Sequence, residues 1–172
     1  MKNSGVTLTE LIVVIAIVGI LVVALGFSFQ GWIGKYKVEA ATKQIYSDLM
    51  DARARAMQFN RIYYVQVVDA TTTYSLIEDS NDDSVNNDAA IPGFPKTVEY
   101  TINWNGGGAI TFNKRGNISN LGTICIFTDA DGDGTSDSDP DYDCIEIAQT
   151  RINIGKITNQ AGGCGAPNCV AK

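Results

Sequence analysis

The chain contains no histidine, and this absence removes a large group of catalytic possibilities. Histidine is the only side chain whose unperturbed pKa lies between pH 5 and 8, so histidine triads and histidine general bases are excluded. Histidine-ligated metals are excluded as well. No recognisable nucleophile motif takes their place, and clustered aspartates alone are weak evidence for a catalytic carboxylate pair. We therefore expect a protein that is not an enzyme and has no catalytic residues.

Proline is scarce, with four in the 172 residues and none between Val6 and Asn60. Because proline breaks the interior of a helix, this gap permits one continuous helix of more than fifty residues. Within it, an apolar run of nineteen residues extends from Leu11 to Phe29. At about 1.5 Å per residue, this run has nearly the ~30 Å thickness of the bilayer hydrocarbon. It predicts a membrane-spanning segment.

An ordinary secretory signal or signal anchor is the alternative explanation of this apolar run. The residues around the run differ from such a signal in three ways. The leader carries a single lysine, no A-x-A type cleavage site follows the run, and Glu10 lies where a signal is uniformly apolar. A carboxylate at the bilayer centre costs about 2.5–3.5 kcal/mol on insertion scales. Such a charge indicates a partner that neutralises it.

The hexapeptide GVTLTE at 5–10, followed by the apolar run, resembles the class III signal of type IV pilins and pseudopilins. The resemblance implies that a prepilin peptidase cuts between Gly5 and Val6 and methylates the new N-terminus on Val6, where the family more often has phenylalanine. Glu10 would then meet the N-terminal amine of a neighbouring subunit in a filament, so that two buried charges compensate. Other pilin subunits, prepilin peptidase and an inner-membrane assembly platform are the implied partners.

Past Trp32 the pattern becomes amphipathic, with apolar residues recurring at spacings of three and four. This stripe predicts a helix that packs one face on a sheet, through Val38, Ala41, Ile45, Leu49, Ala52, Ala56 and Phe59. The chain is divided into a leader at 1–5, a transmembrane and polymerisation helix at 6–29, an amphipathic helix at 30–60 and a β-rich domain at 61–172.

After Asn60, β-branched and aromatic residues predict short strands, separated by an exposed acidic loop at 79–95. The expected strands are 61–68, 73–78, 97–103, 109–113, 122–127, 144–148 and 151–157. One long helix followed by short strands predicts an α+β fold, in which an antiparallel sheet packs on the second half of the N-terminal helix.

Two short stretches narrow the resemblance. Both are similar to segments of the FimT/GspH type of minor pilins and pseudopilins. ARARA at 52–56 resembles the end of the helix in that group, and ITFNKRGNI at 110–118 resembles its strand-turn-strand. The resemblance implies a structural subunit of a type IV pilus or a type II secretion pseudopilus. Before assembly it implies a single pass through the bacterial inner membrane, with a cytoplasmic N-terminus and a periplasmic domain. Afterwards the subunit lies in the filament, within the envelope or outside the cell.

Two alternatives stay open, a major pilin and a DNA-binding minor pilin of a competence pilus. The candidate cations for DNA are Lys114, Arg115, Arg151, Lys156 and Lys172. The formal net charge of the chain is −6, and loss of Lys2 with the leader makes it −7. Because affinity for DNA depends on neutralising phosphates, this acidity disfavours nucleic acid as a partner.

Residues 129–143 include seven aspartates in fifteen positions. Alternate carboxylates before a glycine turn match the opening of an EF-hand-like calcium loop, although Pro140 replaces the acid expected at its twelfth position. An oxygen-only ligand set favours calcium over zinc or copper. The expected metal ligands are Asp129, Asp131, Asp133, Thr135 and Asp137, and a solvated loop without a site is the alternative.

All four cysteines lie in the last third of the chain, and an even number in an exported domain predicts two disulfides. We expect Cys125–Cys144 to close the base of the acidic excursion and Cys164–Cys169 to staple the glycine-rich tail. Crossed pairings stay open. Neither pair has C-x-x-C spacing, which disfavours a zinc site.

Overall fold

The computed structural model describes residues 6–128, 136–159, 163–165 and 167–172, with the backbone alone over 24–31. In this part of the chain one long helix is followed by a nine-stranded antiparallel sheet, so the α+β prediction is confirmed. The helix α1 is Leu8–Phe59, and the strands are β1 Tyr63–Val67, β2 Thr71–Glu78, β3 Lys96–Trp104, β4 Ile110–Phe112, β5 Ile118–Ser119, β6 Gly122–Ile126, β7 Cys144–Ile147, β8 Ile152–Ile157 and β9 Cys169–Ala171.

The order of strands in the sheet is β5-β4-β1-β2-β3-β6-β7-β8-β9. All strand pairs are antiparallel, and β4 crosses back to pair with β1, which places the β4–β5 hairpin at one edge. The second half of α1 packs across this sheet and contacts strands from both sides of β3. The second half of α1 therefore lies across the sheet between β4 and β8.

The continuous 52-residue helix agrees with the absence of proline, and its end follows from its last residues. Asn60 has φ 53° and ψ 43°, and its N–H donates to the Ala56 carbonyl. Asparagine tolerates this left-handed conformation better than most residues, which allows the chain to leave the helix and enter β1.

The buried face of α1 matches the predicted stripe with one exception. Its six members up to Ala56 are at most 7 % exposed, and they pack on strand residues such as Leu76, Phe112 and Ile124. Phe59 is 53 % exposed, so its assignment to the core is wrong. It is the final helical residue, and the turn at Asn60 carries the chain away before another buried position. The stripe also includes the buried Thr42, whose hydroxyl donates to the Val38 carbonyl.

The seven predicted strands are present, and the structure adds β5 and β9. β9 lies in the glycine-rich tail and pairs with β8, with Gly155 opposite Ala171. A Cβ on Gly155 would lie 2.3 Å from the Val170 carbonyl oxygen, so the missing side chain permits this close backbone approach. The tail is therefore part of the sheet.

The preferred disulfide pairing is wrong, and the crossed pairing is present: Cys125 bonds to Cys164, and Cys144 bonds to Cys169. Cys125 and Cys144 are direct cross-strand neighbours, on the sheet face opposite to that of the helix-packed Ile124. The partners of both strand cysteines lie in the tail, Cys164 after β8 and Cys169 in β9. Together with Ile157 and Phe127, the cysteines form a second, smaller core.

The acidic loop after β2 is mostly exposed, as expected, but Asp79 is fully buried. Its carboxylate accepts hydrogen bonds from the backbone N–H groups of Asp83 and Ser84, at 3.1 and 2.9 Å. Asp88 in turn accepts from the N–H and hydroxyl of Ser80. The loop is thus organised around carboxylates that bind its own backbone.

Candidate functional site: the N-terminal half of the helix

The two halves of α1 have opposite surroundings. From Val38 onward one face is buried by the sheet, whereas the described apolar side chains between Val6 and Val23 are all exposed, with Val6 at 78 %. Soluble monomers rarely expose a continuous apolar surface of this size, which usually marks a contact with protein or lipid. This exposed half of the helix is the candidate site. Within the described part of the chain, no helix is apolar over a length sufficient to cross a membrane.

Thr7 and Glu10 begin the helix with a reciprocal capping box. The Thr7 backbone N–H and hydroxyl donate to one Glu10 carboxylate oxygen, at 2.9 and 2.8 Å, while the Glu10 N–H donates to the Thr7 hydroxyl oxygen at 3.3 Å. These bonds satisfy backbone donors that otherwise lack partners at a helix N-terminus. In the single subunit, Glu10 therefore stabilises the start of its own helix.

Val6, the residue predicted to become the mature N-terminus, lies directly before the cap, where Thr7 is extended at φ −78° and ψ 153°. The structure thus brings Val6 and Glu10 to the same end of the helix. Gly5, the other residue of the predicted cleavage site, lies outside the described residues. The capping role of Glu10 could have been recognised from the T-x-x-E spacing at 7–10, which is a helix-start signal.

Four of the predicted calcium ligands, Asp129, Asp131, Asp133 and Thr135, lie outside the described residues. Asp137 is described, and its N–H donates to the Thr128 carbonyl at 2.6 Å. The described residues include no group of three or more histidine, cysteine or acidic side chains suited to a metal ion. Calcium binding by this loop stays a prediction.

The end of the acidic segment is docked on α1 and on the tail. Asp141 forms ion pairs with Lys35 at 3.4 Å and Lys172 at 3.5 Å, and its N–H donates to the Glu39 carboxylate. Asp139 pairs with Lys156. The neighbouring positive charges lower the pKa of Asp141, chiefly through Lys35, and the hydrogen bond from Lys156 lowers the pKa of Asp139.

Asp143 is a buried carboxylate that the sequence pattern does not distinguish from its acidic neighbours. It is 1 % exposed, and burial raises its pKa to about 6, although the Ile157 N–H donates to it at 2.6 Å. Its position directly before the strand residue Cys144 is the only signal in the sequence that it lies inside. It holds β8 beside the end of the acidic segment.

The cations considered for DNA do not form a free basic surface. Lys114 pairs with Asp82 at 2.6 Å, Lys156 pairs with Asp139, and Lys172 pairs with Asp141. Three of the five candidate cations are thus neutralised by carboxylates of the same chain. Phosphate contacts would have to break these pairs, which weakens the DNA-binding alternative further.

A long helix with an exposed apolar first half, a glutamate at its start and a sheet on its second half defines a pilin-type subunit. Two family models match this chain: the prokaryotic N-terminal methylation motif over residues 1–26, and the type II transport protein GspH over residues 41–150. The chain belongs to the GspH family, whose members are structural subunits of pilin-type filaments rather than enzymes. Comparison with curated proteins and with solved structures returned no match.

Proposed function

We propose that the chain is a minor pilin or pseudopilin that polymerises through the first half of α1 into a type IV pilus or a type II secretion pseudopilus. The observation that carries the proposal is the apolar surface between Val6 and Val23, which has no cover within the described residues. Burying such a surface contributes about 25 cal/mol per Å². A filament of parallel helices would provide this burial for every subunit.

Processing would precede assembly, with prepilin peptidase cutting between Gly5 and Val6 and methylating Val6. The match of residues 1–26 to the methylation motif supports this step, as does the start of the helix directly after the proposed new N-terminus. The mass of the mature chain purified from its host tests it. We expect loss of residues 1–5 and one added methyl group, and a chain that retains both leader and unmodified Val6 would contradict the proposal.

Before assembly, residues 6–29 would anchor the subunit in the inner membrane, with the sheet domain in the periplasm. The apolar run supports the anchor, and the two disulfides fit an oxidising compartment. Fractionation of cells tests this arrangement. We expect the unassembled chain in the membrane fraction, with its sheet domain digested by protease only after the outer membrane is opened.

Glu10 would exchange its capping partners for the N-terminal amine of a neighbouring subunit. Two variants separate the charge from the cap: Glu10→Gln retains a side-chain acceptor for the Thr7 N–H but has no charge, whereas Thr7→Ala removes the capping hydroxyl and retains the charge. We expect Glu10→Gln to reduce incorporation into filaments about tenfold or more, since each 1.4 kcal/mol of lost pairing is a factor of ten.

Thr7→Ala should incorporate nearly as well as the natural chain, because a lost cap costs only about 1 kcal/mol of helix stability. Immunoblots of sheared filaments, normalised to the total subunit in the cells, measure both variants. If Glu10→Gln incorporates normally while Thr7→Ala fails, the carboxylate acts as a helix cap alone and the electrostatic proposal is wrong.

We also retain calcium as a proposed ligand of the acidic segment, supported by the alternating aspartates at 129–133. The unfolding temperature of the full chain in detergent tests it. Calcium should raise this temperature and a chelator should lower it, and Asp131→Asn should abolish both effects. An unfolding temperature that neither addition changes would dispose of the site.

A further inference from the structure

Two aromatic side chains lie exposed on one face of α1, between its apolar half and its sheet-covered half. Trp32 and Tyr36 are one helical turn apart, each is 65 % exposed, and their rings stack with centroids 6.4 Å apart and planes at 21°. Residues spaced i and i+4 share a helix face, so the pair forms one continuous amphipathic surface. The sheet leaves it uncovered.

The position of this pair along the helix matches the thickness of a membrane. Trp32 lies 22 residues after Glu10 in an uninterrupted helix, which corresponds to about 33 Å. Bilayer hydrocarbon is ~30 Å thick. When Glu10 lies at one boundary of the hydrocarbon, Trp32 and Tyr36 therefore reach the headgroups of the opposite leaflet.

The chemistry of the surroundings changes at the same point. Lys35 pairs with Asp141, and Lys37 pairs with Glu99 at 2.6 Å, so charged contacts between helix and sheet domain begin beside the aromatic rings. A shallow cleft of about 280 Å³ is lined by both rings together with Lys35, Glu39 and Asp141. Apolar rings next to hydrated charges suit the boundary between hydrocarbon and water, where tryptophan and tyrosine are enriched.

We propose that Trp32 and Tyr36 form an aromatic anchor in the headgroup layer of the leaflet from which the sheet domain emerges. The anchor sets the depth of the unassembled subunit and holds the domain against the phospholipid surface. This inference rests on the proposed membrane insertion of residues 6–29. The partner is the phospholipid surface itself, because Trp32 follows the end of the apolar run at Phe29 by three residues on the same helix, and charges that prefer water border the pair.

The natural chain carries its own reporter for this position. It has two tryptophans, and Trp104 is only 6 % exposed in the core. Quenching of tryptophan fluorescence by brominated lipids or by acrylamide therefore reports mainly on Trp32. The full chain is reconstituted in vesicles of phosphatidylethanolamine and phosphatidylglycerol that carry bromine at defined acyl depths. We expect bromine near the headgroup end to quench Trp32 at least twofold more strongly than bromine at the chain end. Trp32→Phe gives the signal of Trp104 for subtraction.

A matched control comes from the other end of the same helix, where Phe59 is exposed to a similar degree. In the same vesicles, with Trp32 replaced by Phe, Phe59→Trp should be quenched by aqueous acrylamide at least twofold more than Trp32 is in the natural chain. Tyr36→Ala should raise the acrylamide quenching of Trp32, whereas Phe59→Ala should not change it.

The failure of this inference is distinguishable from that of the proposed function by flotation of the vesicles. If the chain floats with the vesicles but Trp32 is as accessible to acrylamide as the tryptophan of Phe59→Trp, the anchor is wrong and membrane insertion stands. If the chain does not float, insertion and anchor are both wrong. If protection of Trp32 appears only at high protein-to-lipid ratios, a second copy of the chain covers the pair, which also overturns the proposal.

Discussion

At the scale of single residues, two buried carboxylates show how differently the chain accommodates the same group. Asp79 accepts hydrogen bonds from two backbone N–H groups of its own loop, whereas Asp143, directly before β7, accepts from the N–H of Ile157 in β8. Burial removes water from both, so backbone donors must replace it. For Asp143 this replacement is incomplete, and its pKa rises to about 6.

The raised pKa of Asp143 predicts a pH dependence of stability. A carboxyl that titrates near 6 when folded and near 3.8 when unfolded favours folding in its protonated form. Its contribution is fully present below about pH 4 and is lost as pH rises through 6, at a cost of up to ~3 kcal/mol. We expect Asp143→Asn to remove this loss, because an amide oxygen still accepts from the Ile157 N–H.

Denaturant unfolding at pH 4.5 and pH 7.5 measures this effect. The Asp83→Asn variant is the control, since the pKa of Asp83 is lowered by the hydrogen bond from the Val85 N–H and its influence lies below pH 4. The free energy of unfolding of Asp143→Asn should exceed that of the natural chain at pH 7.5. If the free energy of unfolding changes equally between the two pH values in the natural chain and in Asp143→Asn, Asp143 does not cause the pH dependence.

Gly116 is a residue at which even a small added side chain should destabilise the domain. Its φ is +77°, and an added Cβ would lie 2.8 Å from Sδ of Met57 on the helix. We expect Gly116→Ala to lower the free energy of unfolding by about 1–3 kcal/mol, through backbone strain and displacement of Met57. Gly107→Ala is the matched control, because nothing lies within 4 Å of its added Cβ. Denaturant unfolding of both variants in parallel gives the comparison.

At the scale of elements, the disulfide partners and the tail strand cannot be predicted from spacing along the sequence. The even number of cysteines correctly predicts two disulfides, but their spacing favours pairs that are close in sequence. In the sheet, Cys125 and Cys144 lie opposite each other on one face, yet each bonds to a cysteine of the tail instead of to the other. The tail, in which the sequence predicts no strand, also pairs with β8 as β9.

The crossed pairing predicts specific peptides and specific losses of stability. Non-reducing digestion should release Cys125 linked to Cys164, and Cys144 linked to Cys169, and a linked Cys125–Cys144 peptide would contradict the structure. The sequence separations of 39 and 25 residues correspond to about 4 and about 3.5 kcal/mol in the chain-entropy model. Replacing either pair with serine should lower the free energy of unfolding by amounts of that order.

At the scale of the whole molecule, α1 belongs to two environments. The sheet packs only on its second half, where the buried stripe ends at Ala56, and the exposed first half contributes no described side chain to the core. The core of the domain therefore uses only the second half of α1, and the proposed assembly surface lies in the first half.

Removal of the first half tests this separation. A chain that starts at Trp32 should keep its free energy of unfolding within about 1 kcal/mol of that of the full chain, because it keeps the whole buried stripe and the ion pairs of Lys35 and Lys37. It should also stay monodisperse without detergent and fail to enter filaments. Circular dichroism during denaturant titration and gel filtration measure these properties. Cooperative unfolding lost on truncation would show that the apolar half supports the domain.

Sequence patterns alone predict the extent of the helix, its change from an apolar run to an amphipathic stripe, the position of Glu10 near the helix start, and an antiparallel sheet with seven of its strands. These features depend on the absence of proline, on the spacing of apolar residues and on the strand propensity of short segments, which are all local properties of the sequence. The cysteine partners, the tail strand, the burial of Asp79 and Asp143, and the exposure of Phe59 become visible only in the folded chain. The cysteine partners, the tail strand and the burial of Asp143 depend on contacts between segments that are distant in sequence, which no local spacing encodes. The burial of Asp79 and the exposure of Phe59 depend on the path that the chain takes after β2 and after α1.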